Sequence, residues 1–536
     1  MAGQVPRNIH AAGRDRRRVS WQGGRKPRRL KALQAAPHTP ASVLTSISGP
    51  LLQGVRPAHQ LGQLLAAGTA QAQHAQYGDG GLACLYLAAR MVRAVLGASP
   101  SRHEIYESCS VLQALGDRMY AFLSSGICKS AGSADATALC VPCESLQHYL
   151  ALCRGVLFPK LACLLDAAEI ERTAAVTVEA FISTLPDEHA GLQSAAASHS
   201  VTFQTFRGED ARDSCVLPGI LLPAADMTPE SLGVLLEMAA RQSSANSAAA
   251  CDCADGQALD GGILLIREGL DVRGNQHDAQ NTSAPGCRTI QADQLPGEAP
   301  GDPEVQELVR IMTALDRLLE RSGGPHIVAC QKGVHPVVHD FLVSKGVASF
   351  QRLGASRIAL LAKITACAPI ESLFECPGVL PCGHARVRAE VKVLYGHEVV
   401  HLQPSETAVS SVPVTVMLSC PMDAVAEHVR LAAESSLRLL RATIEQGAAA
   451  TAGVGAIELA LVKDIEAWSI VLPTRSARQA AVIDSVTGAL SQLGKRVANN
   501  GIDRHAYILD SLPCKMACLQ RAVSTALQLL KLDKTS

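Results

Sequence analysis

Apolar residues recur at helical spacing toward both ends of the chain and in short runs through its middle. Leu85, Ala88, Ala89, Val92 and Leu96 share one face of a helix expected over 82–96. Further helical patterns cover 104–123 and, with breaks, 143–184, so residues 43 to about 150 read as all-helical. From Asp213 to Leu222 the pattern changes to short apolar runs bounded by Pro and Gly. Strand-like runs then recur at 262–266, 326–329, 347–350, 399–402 and 412–418, alternating with helices at 303–320 and 334–345. Helices return at 422–446, 455–463, 477–493 and 513–532. The pattern predicts a multidomain chain, α plus α/β, whose helical ends bracket an α/β centre.

Composition supports this reading. At 536 residues the chain is too long for one ordinary core, and with 48% hydrophobic but only 3% aromatic residues it must pack Ala, Leu and Val. Residues 242–261 and 268–302 are rich in Ser, Asn, Gln, Gly, Pro and Asp and read as long flexible excursions. The net charge of +0 gives no global argument for nucleic acid. Charge is uneven, though: residues 1–42 carry ten Lys/Arg against one acid, Asp15. This arm lacks the apolar centre of a secretory signal and reads as a disordered, solvated tail or as a nuclear or organellar address. No transmembrane span is expected. Eighteen cysteines without a secretory signal read as reduced, buried thiols, which points to a cytosolic compartment. Cys140 with Cys143, and Cys376 with Cys382 and His384, look metal-like, but no second pair has zinc-site spacing, so no zinc is expected.

Two glycine turns carry the candidate chemistry. Gly78-Asp79-Gly80-Gly81 and Ala452-Gly453-Val454-Gly455-Ala456-Ile457-Glu458 each lead into a helical pattern. Glycine at a helix N-terminus lets backbone N–H groups approach phosphate oxygens, although each turn alone is equally a tight connection between packed helices. In chain order the sequence offers Gly49-Pro50, Gly78-Asp79-Gly80-Gly81-Leu82, the Ala452–Glu458 turn, Asn499-Asn500-Gly501-Ile502-Asp503 and Asp510-Ser511-Leu512-Pro513-Cys514-Lys515. That series resembles the split nucleotide-binding domain of group II chaperonins of the TCP-1/cpn60 superfamily. Asp213–Ile220, Cys330-Gln331-Lys332-Gly333-Val334-His335-Pro336 and the run 341–370 with Arg352-Leu353-Gly354 resemble, within it, the McKusick–Kaufman/Bardet–Biedl chaperonin-like family.

The resemblance implies a helical equatorial domain from 43–152 and 447–536, a small intermediate domain from 153–213 and 404–446, and an α/β apical domain over 214–403. It implies a nucleotide site of Gly49, Pro50, Gly78, Asp79, Gly80, Gly81, Gly453, Gly455 and Asp510, with Asp79 toward Mg²⁺. Lys515 reads as a solvated face rather than a phosphate contact. His335 and Lys332 open an apical-type helix, where a client contact and a plain entry turn are both open.

Departures from the family pattern qualify the activity. The family's two threonines after the aspartate are Gly81 and Leu82 here, and its water-orienting aspartate aligns with Ser435, a one-residue shift supplying Glu434. Serine lacks the carboxylate, and losing such a group costs a factor of about 10² or more in turnover. The hairpin between Gly49 and Gly78 and the strand pair between Asp503 and Asp510 are absent, and the place of the lid helix, 268–302, reads as disordered. The expectation is weak ATP and Mg²⁺ binding with little hydrolysis, in a chaperonin-like protein that assists assembly of a ciliary trafficking complex, the BBSome. Implied partners are related chaperonin-like proteins, cytosolic chaperonin subunits and BBSome clients, in the cytoplasm at the centrosome or basal body. An active ring-forming ATPase and a nucleotide-free scaffold are the alternatives.

Overall fold

The computed structural model describes residues 34–35, 55–56, 69–97, 101–129, 140–160, 163–185, 200–208, 210–246, 258–271, 303–322, 326–374, 386–405, 412–471, 476–498 and 507–532. The chain divides into two compact units, Met1–Val178 with Glu427–Ser536, and Glu179–Ala426. The stretches 153–213 and 404–446, expected as one intermediate domain, are divided between them.

The first unit opens with a two-residue pairing of Gln34–Ala35 with Val55–Arg56. Then come α1 (Ala72–Tyr77), α2 (Gly81–Leu96), α3 (Arg102–Lys129), β1 (Cys140–Pro142), α4 (Leu146–Leu157) and α5 (Ala167–Ser183). Local sequence sets the helix starts. At α3 the Ser101 N–H donates to Glu104 Oε2 at 2.6 Å while Glu104 N–H returns to Ser101 Oγ at 3.3 Å, a reciprocal cap. Asp166 and Glu169 do the same for α5, at 2.7 and 2.8 Å.

The second unit contains β2 (Val201–Arg207), β3 (Cys215–Pro218), β4 (Ile220–Pro223), α6 (Pro229–Asn246), β5 (Ala258–Ile266), α7 (Pro303–Arg321) and β6 (Ile327–Cys330). It continues with α8 (Pro336–Ser344), β7 (Ala348–Phe350), α9 (Gly354–Thr365), β8 (Arg386–Leu394), β9 (His397–Pro404) and β10 (Val414–Cys420). A six-stranded sheet runs β4-β9-β8-β5-β6-β7, with β5, β6 and β7 parallel and the other pairings antiparallel. Both faces are covered. Leu264, Ile266, Val328 and Cys330 pack with α7 and α8, and Ile263, Leu265, Ile327 and Ala329 with α6 and α9. That is why β5 and β6 read as unbroken apolar runs rather than alternations. A smaller sheet runs β2-β10-β3.

The first unit closes with α10 (Asp423–Glu445), β11 (Ala449–Ala452), α11 (Ala456–Val471), α12 (Ala477–Ala498), β12 (Leu509–Ser511) and α13 (Leu512–Leu532). Its core joins residues from the two ends of the chain: Leu87, Met91, Leu112, Leu115 and Met119 pack with Ile457, Leu461, Val486, Leu490, Ala522 and Leu530.

Three expectations need correction. The first ordered region is not all-helical, because β1 pairs antiparallel with β11, which in turn pairs with β12. The excursion expected over 242–261 is shorter: α6 continues to Asn246 and β5 begins at Ala258, and the rest lies outside the described residues. Leu270 and Val334, within and after the second excursion, form a parallel bridge, and residues 272–302 lie outside the described residues. β2 and β8 also escape the sequence reading, although Val387, Ala389, Val391 and Val393 alternate along β8 as a half-buried strand requires. Among the described residues no helix is long and apolar enough to cross a membrane.

Leu87 lies on α2 and is 2% exposed in the core shared by both chain ends. Leu87→Ala is expected to destabilise the first unit by about 3 kcal/mol, read as a lower urea midpoint of the full chain. A change under about 0.5 kcal/mol, the range of surface substitutions, would show that the two ends do not share that core.

Candidate functional site

The first glycine turn caps α1 and starts α2. Gly78 has φ +74°, with its N–H on His74 O at 2.8 Å, and Gly80 has φ +76° just before Gly81. The space at Gly78 is what requires glycine: a Cβ there would lie 2.6 Å from the Ser435 carbonyl oxygen of α10. The turn therefore rests on the backbone of Ser435, the residue expected from the resemblance at the place of the water-orienting aspartate. Ser435 is 2% exposed. Its neighbour Glu434 is turned into an ion pair with Arg430, one turn earlier on the same helix. Gly81 is buried and Leu82 is 38% exposed in the first turn of α2, so this helix start presents no hydroxyl.

The second turn joins β11 to α11, with Val454 at φ +59° and Gly455 at φ +76°. A Cβ on Gly455 would meet Gly494 O of α12 at 2.4 Å, and one on Gly453 would meet Ile508 Cγ2 at 2.8 Å. The Gly453 N–H donates to Ile508 O at 3.1 Å. On these sides, the close approach the glycines permit is to the protein's own backbone.

Both turns meet at the junction of β12 and α13. Cys514 Sγ lies 3.8 Å from Asp79 O, and Gln73 Nε2 of α1 donates to Cys514 O at 3.1 Å. Two segments 375 residues apart in sequence are thus brought to one place. Gly49, Pro50 and the 499–503 segment lie outside the described residues.

An ionic cluster occupies that place. The Lys160 ammonium, on a side chain 8% exposed, donates to Asp79 Oδ1 at 3.0 Å. Burial opposes ionisation of Asp79, but Lys160, the Gly80 N–H and Lys515 outweigh it and hold the carboxyl below the usual range. Lys515 contacts Glu458 Oε1 at 2.6 Å and Asp510 Oδ2 at 3.0 Å. This corrects the reading of Lys515 as a solvated residue: its side chain is 25% exposed and binds two carboxylates. Burial pushes the Asp510 carboxyl up, Lys515 opposes this, and the nearby charges of Glu458 and Asp79 add to the rise. Burial weighs against charge on Lys515, yet its two carboxylates raise it well above the ordinary lysine value. With three acids to two bases, the cluster leaves Glu458 Oε2 and the Thr451 hydroxyl, opposite Asp510 in the ladder, buried without a hydrogen-bond partner.

Lys160 and the role of Glu458 were not singled out from the sequence. The signal available for Lys160 was a single lysine inside the apolar run Val156–Leu165. Elsewhere, Cys143 is buried, its thiol pushed up by burial to about 11, and Cys140 lies in β1. Among the described residues no group of three or more His, Cys, Asp or Glu is placed to hold a metal. Cys376, Cys382 and His384 lie outside them. In the second unit His335 caps α8, its Nδ1 accepting from Val337 N–H at 3.3 Å, which is the entry-turn role.

Similarity to known proteins covers part of the chain. The model of the TCP-1/cpn60 chaperonin family matches residues 305–506. Over that segment the chain is similar to these chaperonins. More particularly, it is similar to the molecular chaperone MKKS of Homo sapiens, 24% identical over 395 residues (69% of this chain, 60% of that protein). It is also similar to MKKS of Mus musculus, 23% identical over 325 residues (60% and 49%). The thermosome subunit beta of Methanothermobacter thermautotrophicus is 26% identical over 188 residues (35% and 33%). The match spans about half to three fifths of the MKKS proteins' own length. Among solved structures, the open-state monomer of a group II chaperonin from Methanococcoides burtonii is matched at a TM-score of 0.49 and 14% identity, over 84% of this chain and 99% of that one.

The cluster predicts a pH-dependent cost for losing Lys515. Without the ammonium, the buried Asp510 carboxyl faces Glu458 with no counter-ion, and its folded-state pKa, already raised by burial, rises further above the unfolded value near 4. Stability from an acid raised in this way is present below that unfolded value and is lost as pH rises through the folded one. Lys515→Met should therefore cost about 3 kcal/mol at pH 8 and markedly less at pH 5, read from urea midpoints at both. An equal loss at the two pH values would contradict the assignment.

Proposed function

We propose that the chain is a chaperonin-like chaperone that assists folding and assembly of other proteins, with a nucleotide site that binds ATP and Mg²⁺ weakly and hydrolyses ATP little or not at all. The observation that carries the second clause is Ser435. Its backbone lies against Gly78, where the family's aspartate would orient the attacking water, and Glu434 is committed to Arg430. Hydrolysis needs a carboxylate or equivalent at that position.

The residues fit the group in part. The turn before α2 offers a helix N-terminus, the Lys160 ammonium and a carboxylate held ionised at Asp79, which together suit a phosphate with its cation. The second turn is packed against Ile508 and Gly494, and Asp510 is engaged by Lys515. That packing favours weak binding, and it is also what a scaffold without nucleotide would show.

The finer part of the proposal is the client. By the resemblance read in the sequence, this is assembly of a ciliary complex, the BBSome, with related chaperonin-like proteins and cytosolic chaperonin subunits as partners, in the cytoplasm at the centrosome or basal body; similarity to proteins named as molecular chaperones supports the chaperone part. Pull-down of the full chain from ciliated cells tests this part: recovery of BBSome and chaperonin subunits supports it, and their absence contradicts it.

For the site itself, labelled ATP with Mg²⁺ should bind saturably and weakly to wild type and not to Asp79→Ala, with turnover indistinguishable from buffer. Light scattering should give a particle far smaller than a ring of 56.3 kDa subunits. Turnover at a family-like rate in a ring-sized particle would establish the active machine instead, and no saturable binding would establish the scaffold.

A further inference from the structure

The Lys160–Asp79 pair sets a condition on whatever occupies the first glycine turn, a condition that rests on reading that turn as a cation and phosphate site. Lys160 lies just past α4 and its backbone is pinned: its N–H donates to Leu157 O at 3.0 Å and its carbonyl accepts from Cys163 N–H at 2.9 Å. The side chain is 8% exposed, and among the described residues the ammonium's hydrogen-bonding partner is Asp79. The other two acids of the cluster, Asp510 and Glu458, already share Lys515. Among the described residues of the cluster, Lys160 therefore has no spare carboxylate to turn to.

A divalent cation that takes Asp79 removes this counter-ion and places two positive charges beside a buried third. A buried ammonium without a partner is strongly unfavourable. An anion arriving with the cation relieves the conflict, because it supplies Lys160 with a new partner while neutralising the metal. We propose that Lys160 couples the two halves of the ligand: it opposes binding of a free divalent cation at Asp79 and makes that binding cooperative with a phosphate-bearing anion. The coupling is reciprocal, so the anion is held more tightly when the cation is present. The turn would then discriminate against free Mg²⁺ and in favour of metal–polyphosphate, whatever base or sugar is attached.

The test uses the full chain without nucleotide. Mn²⁺ binding is followed by electron paramagnetic resonance with and without inorganic tripolyphosphate, chelation in solution being subtracted. Wild type should take up free Mn²⁺ weakly and gain at least about 10-fold with tripolyphosphate, the size expected of one close charge. Lys160→Met should bind free Mn²⁺ at least about 10-fold more tightly than wild type and lose most of the gain, Lys160→Arg should resemble wild type, and Asp79→Asn should lose the site in every background. Should Lys160→Met fail to fold, Lys160→Gln replaces it, with the same expected rise in free Mn²⁺ affinity and loss of the gain. A wild type indifferent to tripolyphosphate, or a Lys160→Met variant no tighter for free Mn²⁺, overturns the coupling while leaving a cation site in place. Absence of Mn²⁺ binding in all variants overturns both. A retained Mn²⁺–tripolyphosphate gain without ATP binding would remove nucleotide as the ligand and leave the coupling standing.

Discussion

A lysine ammonium removed from water costs several kcal/mol unless a carboxylate accompanies it, and the first unit places two at one point. Lys160 has Asp79, and Lys515 has Asp510 and Glu458. The partners come from distant parts of the chain. Lys160 follows α4, Asp79 precedes α2, Glu458 opens α11, and Asp510 and Lys515 flank the start of α13. Satisfying the charges and closing the domain are therefore the same event, and the apolar contacts of α2 and α3 with α11, α12 and α13 support it from one side.

The same pairs shape what the site does. Asp79 is kept ionised, as a cation ligand must be, yet its charge is already in use. The second glycine turn follows a similar logic in packing: its glycines allow β12 and α12 to approach α11 closely, so residues that would approach a ligand in an open cradle meet backbone on their Cβ sides. Each lysine of the site is paired within the protein, and the site is in part filled. Together with serine at position 435, this supports the proposed reading of a chaperonin-like site with its chemistry reduced.

Much of the fold was legible in the sequence because long elements have periodicity to read. The helix expected over 82–96 is α2, the helix from Pro303 is α7, and the buried run at 262–266 is the end of β5. Short elements were not legible for the converse reason. β1 has three residues and no repeat, and it becomes a strand only because β11 lies beside it. β8 carried a clear alternation that was not used. At the candidate site, the order of motifs singled out Asp79, Gly78 and Ser435, whereas the partners of Lys160 and Lys515 depend on contacts across 81 and 57 residues, which local sequence does not encode.

Both lysines are locked in ion pairs, and on that the account stands. Acetic anhydride footprinting of the full chain, read residue by residue by mass spectrometry, tests it most directly, since only an accessible, deprotonated amine reacts. The account predicts that Lys160 and Lys515 are acetylated far more slowly than exposed Lys463. Acetylation of Lys160 or Lys515 as fast as Lys463 would contradict it.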